Sequence, residues 1–269
     1  MRRPSVLAAV ALLAPALSLL PVAASPPARA ATFAAHRALY KLTLDSGRAS
    51  DVVAASGTMG YEVIDACDGW AVRQRLQMTI TNHDGQDIQM VSDYATWESK
   101  DGLSFRYHMK QTTDDAVTSQ TDGEASLTAA GGTGQAHYTV PSDMVKQLPA
   151  GTLFPMAHTA AILDGAEAGK RFLTLPLFDG TVDSGVQDSS VVVLKVDKPA
   201  ANRFPALSSL ASTRVRLAFF DRDPPSQTPD YEVAMTYWMN GVADDLQMDF
   251  GDFTVDATMT EFTSLPHRC

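Results

Sequence analysis

The amino-acid sequence predicts an all-β, mainly antiparallel protein: a strongly curved sheet with one or two short helices. Three observations carry that expectation. From residue 33 onward apolar and polar residues alternate with period two in segment after segment, each bounded by Gly, Asp or Asn, as half-buried antiparallel strands require. About a dozen such segments occur, more than a flat open sheet usually carries without curling or splitting. Apolar residues at helical spacing, by contrast, are confined to one short region. With 269 residues, 45% hydrophobic and 19% charged, the chain can build its own core, which excludes general disorder and removes any need for a stabilising metal.

The elements follow in order. Strands are expected around residues 36–45 and 51–64. The next, 70–80, places Trp70, Val72, Gln74, Leu76, Met78 and Ile80 on one face and Ala71, Arg73, Arg75, Gln77 and Thr79 on the other. A strand over 88–97 follows. Then 103–110 alternates Leu103, Phe105, Tyr107 and Met109 with Ser104, Arg106, His108 and Lys110. Asn82 to Gly85 and Asp101-Gly102 supply the tight turns of a meander, because Asn, Asp and Gly tolerate positive φ. After a strand at 115–128, Gly131 to Gly134 reads as a surface loop. Ser142 or Asp143 can cap a short helical turn from Met144 to Leu148. Beyond Pro155, the spacing of Met156, Thr159, Ala160, Ile162 and Leu163 predicts a helix of about ten residues ending at Gly165, placed to plug or cover the sheet. The remaining strands are expected at 170–178, 189–197, 207–221, 230–240, 242–251 and 253–263, with a proline-rich loop from Asp221 to Pro229.

Residues 1–30 read as an address and not as part of the fold. Arg2 and Arg3 precede an apolar stretch from Val6 to Leu20, and Ala28-Arg29-Ala30 supplies a small-residue cleavage site, the anatomy of a secretory signal peptide. Pro15 and Pro21 interrupt the run before it reaches membrane-spanning length. The mature part, 31–269, is expected to be a single β domain, outside the cytoplasmic membrane and without a transmembrane segment. Cleavage removes three of the 21 basic residues and none of the 31 acids, so the formal charge of −10 becomes −13. That sign argues against nucleic acid as a partner. Attachment to anionic lipid through a basic patch is also disfavoured, because the cations are scattered along the chain.

Cys67 and Cys269 are the only cysteines, and the second is the last residue. In an oxidising compartment such a pair is most simply a disulfide, stapling the tail to the body; a reactive thiol is the alternative, with no C-x-x-C or electropositive setting to support it.

No motif carries catalysis. There is no G-x-S-x-G elbow, no H-E-x-x-H and no dinucleotide-binding glycine fingerprint. The run Gly165 to Arg171 is one residue too short for a phosphate loop and reads as a helix-ending turn. The six histidines are spread singly, with His36, His108 and His137 in extended segments, so no metal-ligand spacing appears. Asp179, Asp183 and Asp188 could hold calcium, but their spacing fits a solvated turn better than an EF-hand. A non-enzymatic protein with no cofactor and no metal is therefore expected. Met59, Met78, Met90, Met109, Met235, Met239, Met248 and Met259 fall in expected strands alongside Tyr107, Tyr237 and Phe250. They either fill a core or line a cavity for a lipid or acyl chain.

The mature chain as a whole resembles the EipB family of periplasmic cell-envelope integrity proteins. The resemblance runs from Ala34-Ala35-His36-Arg37-Ala38-Leu39-Tyr40, through Gly57-Thr58-Met59-Gly60-Tyr61-Glu62 and Cys67-Asp68-Gly69-Trp70, to Asp249-Phe250-Gly251-Asp252-Phe253 and Cys269. It implies a sheet coiled into a spiral or unclosed barrel, a disulfide between Cys67 and Cys269, and a role in maintaining the envelope of Gram-negative bacteria. It supplies no catalytic residues. The expected function is support of envelope integrity by binding a protein partner or an envelope component. A lipid or lipoprotein carrier with a Met- and aromatic-lined cavity is the alternative, and a hydrolase acting on envelope glycans or esters the third reading.

Overall fold

The computed structural model describes residues 32–45, 51–222, 225–266 and 269. The expected signal peptide lies outside the described residues, as do His267 and Arg268 of the tail. The strands are β1 (His36–Leu44), β2 (Val52–Asp65), β3 (Gly69–Asn82), β4 (Asp87–Ser99), β5 (Ser104–Thr113), β6 (Ala116–Leu127), β7 (Gly134–Val140) and β8 (Met144–Leu148). The one α-helix among the described residues, α1 (Pro155–Glu167), follows. Then come β9 (Phe172–Leu177), β10 (Gln187–Asp197), β11 (Ser212–Asp221), β12 (Tyr231–Trp238), β13 (Ala243–Asp249) and β14 (Thr254–Ser264).

All fourteen strands belong to one sheet, in the order β8-β7-β6-β5-β4-β3-β2-β1-β14-β13-β12-β11-β10-β9, and every neighbouring pair is antiparallel. Two sequential meanders, β1–β8 and β9–β14, are thus joined because the first strand pairs with the last. Laid flat, such a sheet would be roughly 60 Å wide. Yet Leu153, five residues beyond the end of β8, bridges to Leu177 at the end of β9, with its N–H donating to Pro176 O at 2.8 Å and its carbonyl accepting from Phe178 N at 2.9 Å. Five residues reach at most about 18 Å. The two edges therefore lie close together: the sheet is curled, as the strand count predicts, and is not closed into a barrel, as the family resemblance implies.

Side-chain alternation follows the curl. In β1, His36, Ala38, Tyr40 and Leu42 are buried while Arg37, Leu39 and Lys41 face outward. Trp70, Val72, Leu76 and Met78 of β3 and Phe105, Tyr107 and Met109 of β5 are buried as their periodicity predicts. Inside the curl lies α1. Its residues Ile162 and Ala166 join a large cluster with Met59, Met78, Met235, Met248 and Met259; Met156 and Leu163 join Phe33, Trp70 and Val72; and Phe154, at its entry, stacks on Phe105 with ring centroids 5.0 Å apart. The helix fills the interior, so these methionines are core. Met239 and Phe250 lie just outside the strands in which they were expected.

Three elements differ from expectation. Residues 144–148 do not form a capped helical turn; they form the edge strand β8, with Val145 and Gln147 exposed and Leu148 buried. Five residues close too few helical hydrogen bonds to compete with pairing against β7. That partner strand was hidden in turn by the glycines at its start and by having only two fully buried positions, Ala136 and Tyr138. The strand expected from 207 begins at Ser212, because Pro205–Leu207 form one 3-10 turn.

The helix is bounded as its sequence suggests, with one exception. Pro155 occupies the first turn, where its missing N–H costs nothing. At the far end Gly169 takes φ +74°, its N–H donates to Ala166 O and that of Lys170 to Gly165 O, a Schellman stop. The helix-ending turn expected at Gly165–Arg171 is thus observed. No local side chain caps the start. Instead Glu98 of β4, only 2% exposed, accepts from Met156 N at 2.7 Å and from Ala157 N at 2.8 Å. Burial pushes its carboxyl up to about 7 against the pull of those two donors.

Cys67, in the β2–β3 turn, and Cys269 form a disulfide with a Cα–Cα distance of 5.5 Å and a sequence separation of 202. The sheet order makes this possible: Ser264 at the end of β14 pairs with His36, and His36 pairs with Val63 near the end of β2. The tail has only to cross β1.

Candidate binding groove on the outer face

Two recesses lie on the outer face of β1–β7. The first, of about 350 Å³, is lined by Arg37 and Leu39 of β1, Gly60 and Glu62 of β2, Arg73 and Arg75 of β3, Asp93 and Ala95 of β4 and His108 of β5. Register builds it. One cross-strand row reads Arg37, Glu62, Arg73, Ala95, His108; the next reads Leu39, Gly60, Arg75, Asp93. Gly60 is the floor, because between Leu39 of β1 and Arg75 of β3 it contributes no side chain. Most of the wall is carbon, from Leu39, Ala95 and the stems of the arginines.

The rim carries charge. Glu62 accepts from Arg37 Nε at 3.1 Å and Nη2 at 2.5 Å. Arg75 donates to both oxygens of Asp93, at 2.7 and 2.6 Å. His108 Nδ1 lies 2.5 Å from Asp122 Oδ1 on β6. Arg73 is left out: it lies 3.9 Å from a carboxylate already engaged by Arg37, and its side chain is 73% exposed. The groove therefore holds three arginines against two carboxylates in a chain of strongly acidic balance. A guanidinium with most of its donors free, above a carbon-rich floor, suits a carboxylate or phosphate on an extended ligand.

A second hollow, of about 390 Å³, adjoins the first and includes Trp97, Arg106, Glu124, Gln135 and His137. Trp97, Arg106, Glu124 and His137 form one cross-strand row, and the Arg106 guanidinium lies 4.4 Å over the Trp97 ring. Tryptophan and arginine stacked at a solvent-facing site are common anchors of binding surfaces.

Other groups weighed from the sequence serve the fold. Asp179 accepts from Thr181 N and Oγ1, with burial raising its carboxyl above the usual range; Asp188 pairs with Arg222. The loop that could have been a solvated turn is packed instead. Among the described residues no group of three or more His, Cys, Asp or Glu is placed to hold a metal. A serine–histidine pair inside the fold, Ser189 Oγ and His158 Nε2 at 2.8 Å, is buried on both sides and ties α1 to β10; burial pushes the imidazole down to about 4.

Alternation placed Arg73, Arg75, Arg106 and His108 on the wet face, but the groove itself was not found. It is a property of register across five strands, and the available signal was a glycine in the middle of a strand.

Comparison with known proteins agrees with this architecture. The EipB-like family matches residues 27–266. The cell envelope integrity protein EipB of Brucella abortus (strain 2308) is 31% identical over 241 residues, covering 86% of this chain and 84% of that protein. The crystal structure of a β-barrel-like protein of a domain of unknown function, also from Brucella abortus, superposes with a TM-score of 0.78 at 27% identity, covering 88% of this chain and all of the other. With matches spanning most of its length, the chain belongs to the EipB-like family.

Proposed function

We propose that residues 1–30 export the chain and that residues 31–269 act in the periplasm as one folded domain, supporting envelope integrity without catalysing a reaction, by holding an anionic segment of a periplasmic protein partner in the outer groove. Kinship to a cell envelope integrity protein supports the role. The observation that carries the mode of action is the Arg37–Glu62–Arg73 row, which leaves one guanidinium exposed beside a carbon-lined recess. A lipid or lipoprotein carried inside the curl has less support, because the methionines that would line its cavity pack against α1.

Gene deletion followed by plating on detergent tests both parts. Loss of the gene is expected to sensitise the cells, and the wild-type gene to restore them. Gly60→Val and Arg73→Glu, each at wild-type periplasmic level, are expected to fail. Full restoration by both variants removes the groove from the mechanism; an insensitive deletion strain removes the envelope role. Amino-terminal sequencing of the secreted protein is expected to begin at Ala31, and a retained leader would overturn export by cleavage.

A further inference from the structure

We propose that the corner where α1 gives way to β9, beside the end of β10, is an anchor that seats the protein reversibly on an anionic lipid surface. Seven large hydrophobic side chains are exposed among the described residues, and three of them lie on the strand ends at this corner, Phe172 at the start of β9 and Leu194 and Val196 near the end of β10. Phe172 is 76% exposed, Leu194 48% and Val196 49%. Phe172 pairs with Val192 across the β9–β10 ladder, and Leu194 is the residue bulged out of register two positions further on. Because β9 begins only at Phe172, the end of β10 runs on without a strand to cover it.

Cations lie at the same two strand ends. Lys170 and Arg171 precede Phe172, while Lys195 and Lys198 come from the end of β10, and all four are exposed. They are remote in sequence, but Val193 N donates to Arg171 O at 2.9 Å, which brings the two stretches together. Lys195 is paired with Asp197 at 2.8 Å, and Glu167 is an exposed acid on the last turn of α1. Lys170, Arg171 and Lys198 form no ion pair among the described residues. The scatter of basic residues along the chain is therefore not their distribution on the surface. An aromatic ring with flanking unpaired cations matches the chemistry of the headgroup region, where the ring enters the interface and the cations meet lipid phosphates. The Schellman stop at Gly169 fixes the display.

A protein strand added to the edge of β9 fits less well. Leu153 already occupies that edge at Leu177, Pro176 has no N–H to give, and only Phe172 and Thr174 remain, too few to template a strand.

Flotation of the protein purified from the periplasm with vesicles of phosphatidylethanolamine and about one third phosphatidylglycerol tests the proposal, with phosphatidylcholine vesicles as the neutral control. Binding is expected to the anionic vesicles only and to be released by high salt. The Lys170→Glu/Arg171→Glu pair should weaken it about tenfold or more, and Phe172→Ser should weaken it too. Gly60→Val should leave it intact, which separates this surface from the groove. Unchanged melting temperatures certify that the exposed-site variants fold. No binding to anionic vesicles, equal binding to neutral ones, or binding unaffected by both variants would overturn the anchor.

Discussion

The curled sheet is held at two places by different chemistry. On one side the Cys67–Cys269 bond ties the tail, across β1, to the β2–β3 turn. On the other, the loop leaving β9 is held against the opposite end of the sheet by three hydroxyls: Tyr94 donates to Asp179 O at 2.6 Å, Thr121 to Gly180 O at 2.5 Å and Tyr138 to Val182 O at 2.8 Å. Beside it, α1 packs against β9 and β10, with Glu98 of β4 at its start. The covalent tie acts on the unfolded chain and needs only an oxidising compartment. The seam acts in the folded state alone, through groups each worth about 1 kcal/mol that depend on one another's burial. A fold that closes by curling thus has one closure sensitive to redox state and one sensitive to packing and pH.

That contrast can be broken from either side. The largest effect is expected at the disulfide: the chain-entropy argument for so long a loop gives about 5 kcal/mol as an upper bound. Cys67→Ser should lower the melting temperature by on the order of 10 °C, and reductant should do the same to the wild type and nothing further to the variant. Equal melting with and without the bond would reduce the staple to decoration.

Next comes pH. Glu98 has a folded-state pKa of about 7, above its ordinary 4.5. Between those values the folded state binds more protons than the unfolded one, so the stability contributed by this carboxyl is full below pH about 4.5 and is lost as the pH rises toward 7. The window is worth on the order of 3 kcal/mol. Glu98→Gln should abolish that fall in calorimetric melting curves. His36 and His158, whose pKa values are lowered by burial, act in the opposite direction and cancel in the comparison of the two proteins. Parallel curves would place the titration elsewhere.

Gly180 tests the packing half of the seam. Its φ is +73°, and an added Cβ would lie 2.3 Å from the Tyr107 ring. Gly180→Ala should cost about 2 kcal/mol in a denaturant titration, with the disulfide intact and unable to compensate. The smallest effect belongs to the outer face. At Gly60 the only atom within 4 Å of an added Cβ is Leu39 Cδ2, at 3.6 Å. Gly60→Val should change stability by less than about 0.5 kcal/mol while filling the groove, so that a loss of envelope support there cannot be ascribed to unfolding.

Much of this was legible beforehand because it is local. Whether Trp70, Val72, Leu76 and Met78 share a face depends on residue spacing alone, and so does the helix after Pro155 with its stop at Gly169. β7 and β8 were missed for the complementary reason: each is short, glycine or proline adjoins it, and it is a strand because its neighbour is one. Glu98 could not be recognised as a helix cap, since the N–H groups it accepts belong to residues 58 and 59 positions away.

By itself, then, the amino-acid order determined which residues alternate, where turns fall, that the ribbon must bend, and the family to which the chain belongs. All of these follow from neighbours within a few positions or from the running pattern of the whole. The groove, the buried carboxylate at the helix entrance and the gathering of Lys170 and Arg171 with Lys195 and Lys198 were decided only by the tertiary structure. Each depends on register between strands, and register is set by how the curled sheet packs around its helix, a free-energy minimum to which every strand contributes and which no single segment encodes.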